Sequence, residues 1–296
     1  MAFGFVEACE VIYAFICVLG FVFNFMVIYV IFCCISSKSR SRLTSRTILS
    51  LALCDLLATL NLPFFIASMS NGWSFSSSLC KLFTFTLILE QFAKTFLLSL
   101  LGLTSVAQYR GSVYNLTTAK ITILLGSIWT SSFVLALTFA SLTSPNLNCD
   151  LFLSYDFAFK ETFTFTYTIC VLFLPIMILS LLLHQSRSEP FEPTESVIEL
   201  FELTIGLLSV HITLSLGHVI GTWITTFSKV PPGIPEPAWK VQWIMVSGII
   251  WCSLRFVFPI IYTYFWTEFR KGLIAIFTDS LEYRPMARYE NSKGPL

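Results

Sequence analysis

RFVFPIIYTYFWTEFRK, from Arg255 to Lys271, closes a long apolar segment and passes into a polar, amphipathic run at Thr267. An arginine inside an apolar span is costly unless it faces a protein interior and finds a partner, so Arg255 points to a helix packed among others in a bilayer. Pro259 has no N–H and frees a backbone carbonyl, which is tolerated at that depth only where neighbouring helices re-satisfy it. The stretch therefore predicts the last span of a helical bundle, followed by a short amphipathic helix at the membrane surface.

Working outward, six further apolar stretches reach the roughly 18 residues that a spanning helix needs. The seven fall near 11–35, 47–69, 82–109, 120–142, 162–184, 197–227 and 241–266. Charged residues are 12% of the 296, about half the ~25% of soluble domains, and 55% are hydrophobic, which argues for a bilayer protein. A net charge of +1 says nothing about nucleic acid, but no basic patch interleaved with aromatics is visible, and no nucleic-acid partner is expected. Lys38, Arg40, Arg42 and Arg46 crowd the first short loop, and Arg270, Lys271, Arg284, Arg288 and Lys293 the tail. By the positive-inside rule both are cytoplasmic. Glu7 and Glu10, with no basic residue before the first span, fit an outside start and argue against a signal peptide. The expected fold class is an all-α membrane protein, a seven-transmembrane helix bundle with a short amphipathic eighth helix. Residues 1–277 form one domain, and the polar tail, 278–296, is expected to be disordered.

Seven helices suit several kinds of membrane protein, so the motifs must choose. Asn24-x-x-Val27 lies in the first span and Leu51-Ala52-x-x-Asp55-Leu56-Leu57 in the second. Trp73-x-Phe75 and Cys80-Lys81 precede the third, which ends in Ser105-Val106-Ala107-Gln108-Tyr109, with Val113-Tyr114-x-Leu116 beyond. Trp129, Phe173-x-Pro175 and Pro259-x-x-Tyr262 follow in the fourth, fifth and seventh. In this order the set resembles the signature positions of rhodopsin-like (class A) G-protein-coupled receptors, from Asn24 to Lys271. The chain is identified as an atypical, orphan-type member. The resemblance implies a plasma-membrane receptor with an extracellular N-terminus, taking a small ligand in the outer half and a heterotrimeric G protein at the inner loops. It also implies a disulfide between Cys80 and Cys149, roofing the outer end. Cys17, Cys54, Cys170 and Cys252 read as small apolar fillers. Asn115-Leu116-Thr117 fits a glycosylation pattern but falls on the inner side, away from that chemistry.

The departures cluster where coupling would occur. Ala107 and Gln108 stand where the family has Asp-Arg, Phe258 where it has Asn, and the sixth span lacks the family's Trp and Pro. Gln108, Tyr109, Arg110 and Tyr262 are the transducer-facing candidates. Arg110 points roughly 200° away from Gln108 around the helix and substitutes poorly for the missing Arg. These changes imply weakened or biased coupling, and with Ser280 and Ser292 the chief tail hydroxyls, weak arrestin recruitment.

Four charges lie inside spans: Asp55, Glu90, Lys94 and Arg255. Asp55 and Arg255 each sit about eight to ten residues from the inner ends of helices two and seven, roughly 12–15 Å deep. Those helices are neighbours in the family, so a direct Asp55–Arg255 salt bridge is expected, a fixed cation replacing the mobile sodium of relatives. Glu90 and Lys94 have the i, i+4 spacing of an intrahelical pair. Alternatively Glu90 faces a ligand pocket with Phe64, Phe92 and His218. His211 reads as a buried histidine bonding between helices. The 30 Phe residues and short N-terminus suggest a small apolar or lipid-like ligand, with membrane lipids as the other partners. No spaced metal-ligand cluster, cofactor motif or nucleophile–base pair supports an enzyme. Two alternatives stand beside the receptor: a non-signalling decoy, and an ion or proton transporter using the buried charges. The absence of inverted repeats disfavours the transporter.

Overall fold

The computed structural model describes residues 3–36, 39, 42–71, 73–110, 117–141, 157–188, 194–228 and 237–278. Cys149, Asn115 and its neighbours, Lys38, Arg40, the loop 230–236 and the tail 279–296 lie outside the described residues. Among those described, seven helices are long and apolar enough to cross a membrane. α1 runs Phe3–Tyr29 and ends in a π-helical turn, Val30–Cys34. α2 is Leu43–Thr59, resumed as Leu62–Asn71 after a break beside Pro63. α3 is Ser77–Tyr109 and α4 Thr118–Ser141. α5 comprises Phe157–Thr168, a π-helical turn Ile169–Phe173, and Leu174–Ser188. α6 is Glu195–Phe227, with no proline to bend it. α7 comprises Ala238–Cys252 and Leu254–Phe265, and the chain then turns at extended Trp266 into α8, Thr267–Thr278.

The helices expose apolar side chains outward. Val11, Phe15, Val18, Val22 and Phe25 of α1 are all exposed, as are Ile123, Val134 and Leu137 of α4 and Phe165, Ile169 and Met177 of α5. Such a belt suits hydrocarbon, where the only obligation is that backbone polar groups be satisfied within the helix. α3 lies at the centre: 72% of its apolar window is buried, against 22% for α4. The helix that carries Glu90 and Lys94 is thus the one shielded from lipid on most sides, as an intramembrane charge requires.

Interhelical contacts define two ends. At one, Arg46 donates to Thr122 Oγ1 at 3.0 Å, Arg110 Nε to Gln185 Oε1 at 2.8 Å, and Tyr109 packs on Phe201 at 4.8 Å. This basic end gathers the starts of α2, α4 and α6 and the ends of α3, α5 and α7. At the opposite end Asn61 donates to Thr86 Oγ1 at 2.7 Å, Trp223 Nε1 to Thr168 Oγ1 at 2.8 Å, and the Thr164 and Thr226 hydroxyls meet at 2.7 Å.

One close approach fixes α3 against α5. A Cβ at Gly102 would fall inside the van der Waals envelope of Ile178 Cγ2, on a β-branched side chain with little freedom to retreat. Gly102→Ala is therefore expected to destabilise the fold by about 1–3 kcal/mol, the range for overpacking. The thermal midpoint of the purified protein checks it; an unchanged midpoint would show that α3 and α5 separate freely.

Candidate functional site

Among the described residues three prolines interrupt the backbone ladders of the spans, and each freed carbonyl meets a side chain from another helix. Pro259 cannot donate to the Arg255 carbonyl, and Asn24 Nδ2 of α1 donates to it instead at 2.6 Å, bonding also to Gly20 O at 2.8 Å. Pro63 frees the Thr59 carbonyl, which Cys17 Sγ approaches at 3.7 Å. Pro175 frees Val171, whose carbonyl lies against His211 of α6 without a hydrogen bond of standard geometry. Cys17 and Asn24 are seven apart on one face of α1, so this helix repairs two of its neighbours.

Between these repairs lies the charge network. Lys94 Nζ sits 2.5 Å from Asp55 Oδ1 and 2.5 Å from Glu90 Oε1, and Arg255 Nη2 lies 3.7 Å from Glu90 Oε2. All four side chains are at most 2% exposed. The direct Asp55–Arg255 pair expected from the sequence is not the arrangement found. α2 and α7 touch directly, but the four-methylene stem of Lys94, on α3, carries its ammonium to Asp55. Arg255 is left to Glu90 and to the ring of Trp251, 5.2 Å from its guanidinium carbon. The i, i+4 pairing of Glu90 with Lys94 is present, as one limb of a larger set. Two acids and two bases in a low-dielectric interior neutralise one another, which is the condition for leaving them there.

The four ligand-site candidates have different neighbours among the described residues. Glu90 is buried in the charge network. Phe92 packs toward α4, its ring 6.2 Å from that of Phe139. Phe64 meets Phe75, 5.5 Å away, at the opposite end from the basic face. His218 stacks on Trp251 at 5.0 Å and meets Tyr167 edge-on at 5.9 Å. Trp251 was not distinguishable in sequence from any other tryptophan of a span, yet it joins His218 of α6 to Arg255, and through Arg255 to α3. Phe258 lies under Lys94, 5.7 Å from ammonium to ring centre, and Tyr262 is fully buried beside it. Cys80 is disulfide-bonded; its expected partner, Cys149, lies outside the described residues.

At the basic end a cavity of about 620 Å³ opens among α2, α3, α4, α6 and α8, lined by Arg42, Ala107, Gln108, Glu199 and Glu268 among others. Arg110 points elsewhere, to Gln185 of α5. Glu268 accepts a hydrogen bond from Ser39 Oγ and lies 3.5 Å from Arg42. Glu199 of α6 accepts from the backbone N–H of Thr267, the first residue of α8. The first N–H groups of a helix lack partners within it and sit at the positive end of its dipole, so a carboxylate is the natural cap. Glu199 gave no sign of this role in sequence, because the cap comes from another helix 68 residues away. Among the described residues no cluster of His, Cys, Asp and Glu is arranged to hold a metal.

A family described as "7 transmembrane receptor (rhodopsin family)" matches residues 23–190, more than half of the chain. Among curated proteins, the mouse C-X-C chemokine receptor type 2 is 30% identical over 155 residues, 50% of this chain and 42% of that receptor. Apelin receptor A of Xenopus laevis is 35% identical over 135 residues, 43% of this chain and 36% of the relative. The mouse type-2 angiotensin II receptor is 32% identical over 133 residues, 44% and 34%. The chain thus spans less than half the length of these relatives where it matches them.

Proposed function

Because the chain belongs to the rhodopsin family of seven-transmembrane receptors, we propose that it receives a small ligand in the half of the bundle away from the basic end and engages a heterotrimeric G protein at that end. The observation that carries this reading is the basic-end cavity of about 620 Å³, whose wall includes Ala107 and Gln108 at the end of α3. Its position beside Arg42 and Arg46 supports a cytoplasmic placement of that face, with the N-terminus outside. The domain is read as 1–277 with a cytoplasmic tail from 278.

The ligand is read as small and apolar or lipid-like, meeting Phe64 and His218. Glu90 and Phe92 lie deeper and report occupancy through the packing around them. A ligand that shifts His218 would move Trp251 and, through it, Arg255 and Glu90. The Cys80–Cys149 bridge is read as roofing that half. The altered positions set the coupling: Gln108 offers the cavity a neutral amide where relatives of this family carry an arginine, so coupling is weak or biased. The self-neutralising arrangement of Asp55, Glu90, Lys94 and Arg255 favours a receptor over an ion path, since each charge is held by its neighbours.

The test is ligand-free G-protein dissociation in cells, for wild type and Gln108→Arg at matched surface expression. The variant is expected to raise output several-fold over wild type. Silence from both, across every G-protein class, would overturn the signalling half of this reading.

A further inference from the structure

A second cavity, about 480 Å³, lies outside the bundle, where α1, α7 and α8 meet. Phe23 and Met26 form one wall, Ile260, Thr263 and Tyr264 the other, and Arg270 stands at the mouth. Pro259 contributes to the floor, and the carbonyl that it frees is turned inward to Asn24, so the groove presents almost no polar backbone. Ile260 and Tyr264 are exposed, which places the opening toward hydrocarbon.

Among the described residues, Arg270 is the one charged side chain lining this groove. Its Nη1 donates to the Tyr264 carbonyl at 3.2 Å, near the end of α7. That bond fixes the guanidinium where the span meets the surface and leaves its remaining N–H groups facing the membrane interface. The neighbouring acid does not cancel it: Glu268 is turned the other way, to Ser39 and Arg42. An apolar slot with a single anchored cation at headgroup level matches one kind of occupant.

We propose that this groove is a site for an acidic phospholipid of the leaflet at the basic end. One acyl chain lies along α1 and α7, and the phosphate takes the free edge of Arg270, a fork of donors suited to phosphate oxygens. The site is independent of any ligand inside the bundle and of whether the chain signals. It differs from diffuse attraction of a basic surface to anionic lipid, because both a slot and one particular arginine are required.

The experiment uses the full chain in nanodiscs of equimolar phosphatidylglycerol and phosphatidylcholine, with the lipid that co-purifies in mild detergent counted by native mass spectrometry. Wild type is expected to retain phosphatidylglycerol about fivefold over phosphatidylcholine, the preference that one basic side chain confers at an anionic surface. Arg270→Gln should bring the ratio to near one, and Lys271→Gln, on an exposed residue outside the groove, should leave it unchanged. Thr263→Trp, which fills the slot, should lower retention of both lipids. Equal retention by wild type, equal losses from Arg270→Gln and Lys271→Gln, or undiminished retention by Thr263→Trp would each overturn the proposal. Arg270→Gln alters only an exposed side chain, so the charge arm stands even if Thr263→Trp folds poorly.

Discussion

Replacing Lys94 with methionine is expected to cost the folded protein about 3–5 kcal/mol, the penalty for removing one partner from a buried ionic set. Methionine fits the space of the lysine stem but leaves Asp55 and Glu90 facing each other with only Arg255, 3.7 Å from Glu90, to offset them. Adding Asp55→Asn removes the orphaned charge while keeping the Glu90–Arg255 limb. The double variant should therefore recover most of the loss, giving a coupling of about 1–3 kcal/mol, as expected for residues in direct contact. Thermal midpoints of the purified protein in detergent, for wild type, both single variants and the double, decide it. Additive losses would mean that the 2.5 Å contact of Lys94 with Asp55 carries no energy of its own.

The second large effect concerns backbone repair. Asn24→Leu keeps the branching of asparagine at Cγ but withdraws the donor from the Arg255 carbonyl. A buried acceptor without a partner costs about 1–3 kcal/mol. The same mechanism predicts rescue: Pro259→Ala restores an N–H that can donate to Arg255 within α7. In the Asn24→Leu background it should return part of the lost stability. If Pro259→Ala instead deepens the loss, the kink itself, rather than the repaired carbonyl, is what α7 needs. Hydrogen exchange along α7 reads the two cases apart.

Much of this was legible before any coordinates. Seven apolar runs, the basic loops and the amphipathic run opening at Thr267 follow from length, composition and charge, because the bilayer allows a spanning chain few solutions. The order of motifs from Asn24 to Tyr262 carried the family. What sequence left open was partnership across space. It marked Asp55 and Arg255 as charges in need of partners, but which acid each base meets depends on how the side chains of α2, α3 and α7 pack together. That Lys94 of α3, and not Arg255, reaches Asp55 is a matter of packing rather than of local pattern. Glu90 illustrates the same limit: its spacing to Lys94 could be read from sequence, and its second contact, to Arg255 of α7, could not. The Glu199 cap on α8 and the Trp251 stack on His218 were equally invisible, since neither residue type is unusual for its position.

The network has a consequence for how the chain is made. Synthesis proceeds from the N-terminus, so α2 brings in Asp55 before any cation, and α3 then delivers Glu90 and Lys94 together as a nearly neutral turn. From that point until the seventh span emerges, the nascent bundle carries one negative charge too many in its interior. Arg255 arrives last and cancels it. A chain halted after the sixth span would leave one carboxyl of the network without a basic partner, to be held protonated or, as a carboxylate, only at a cost. The arginine of the final span thus closes the charge balance of the interior, the last of the four groups to be delivered.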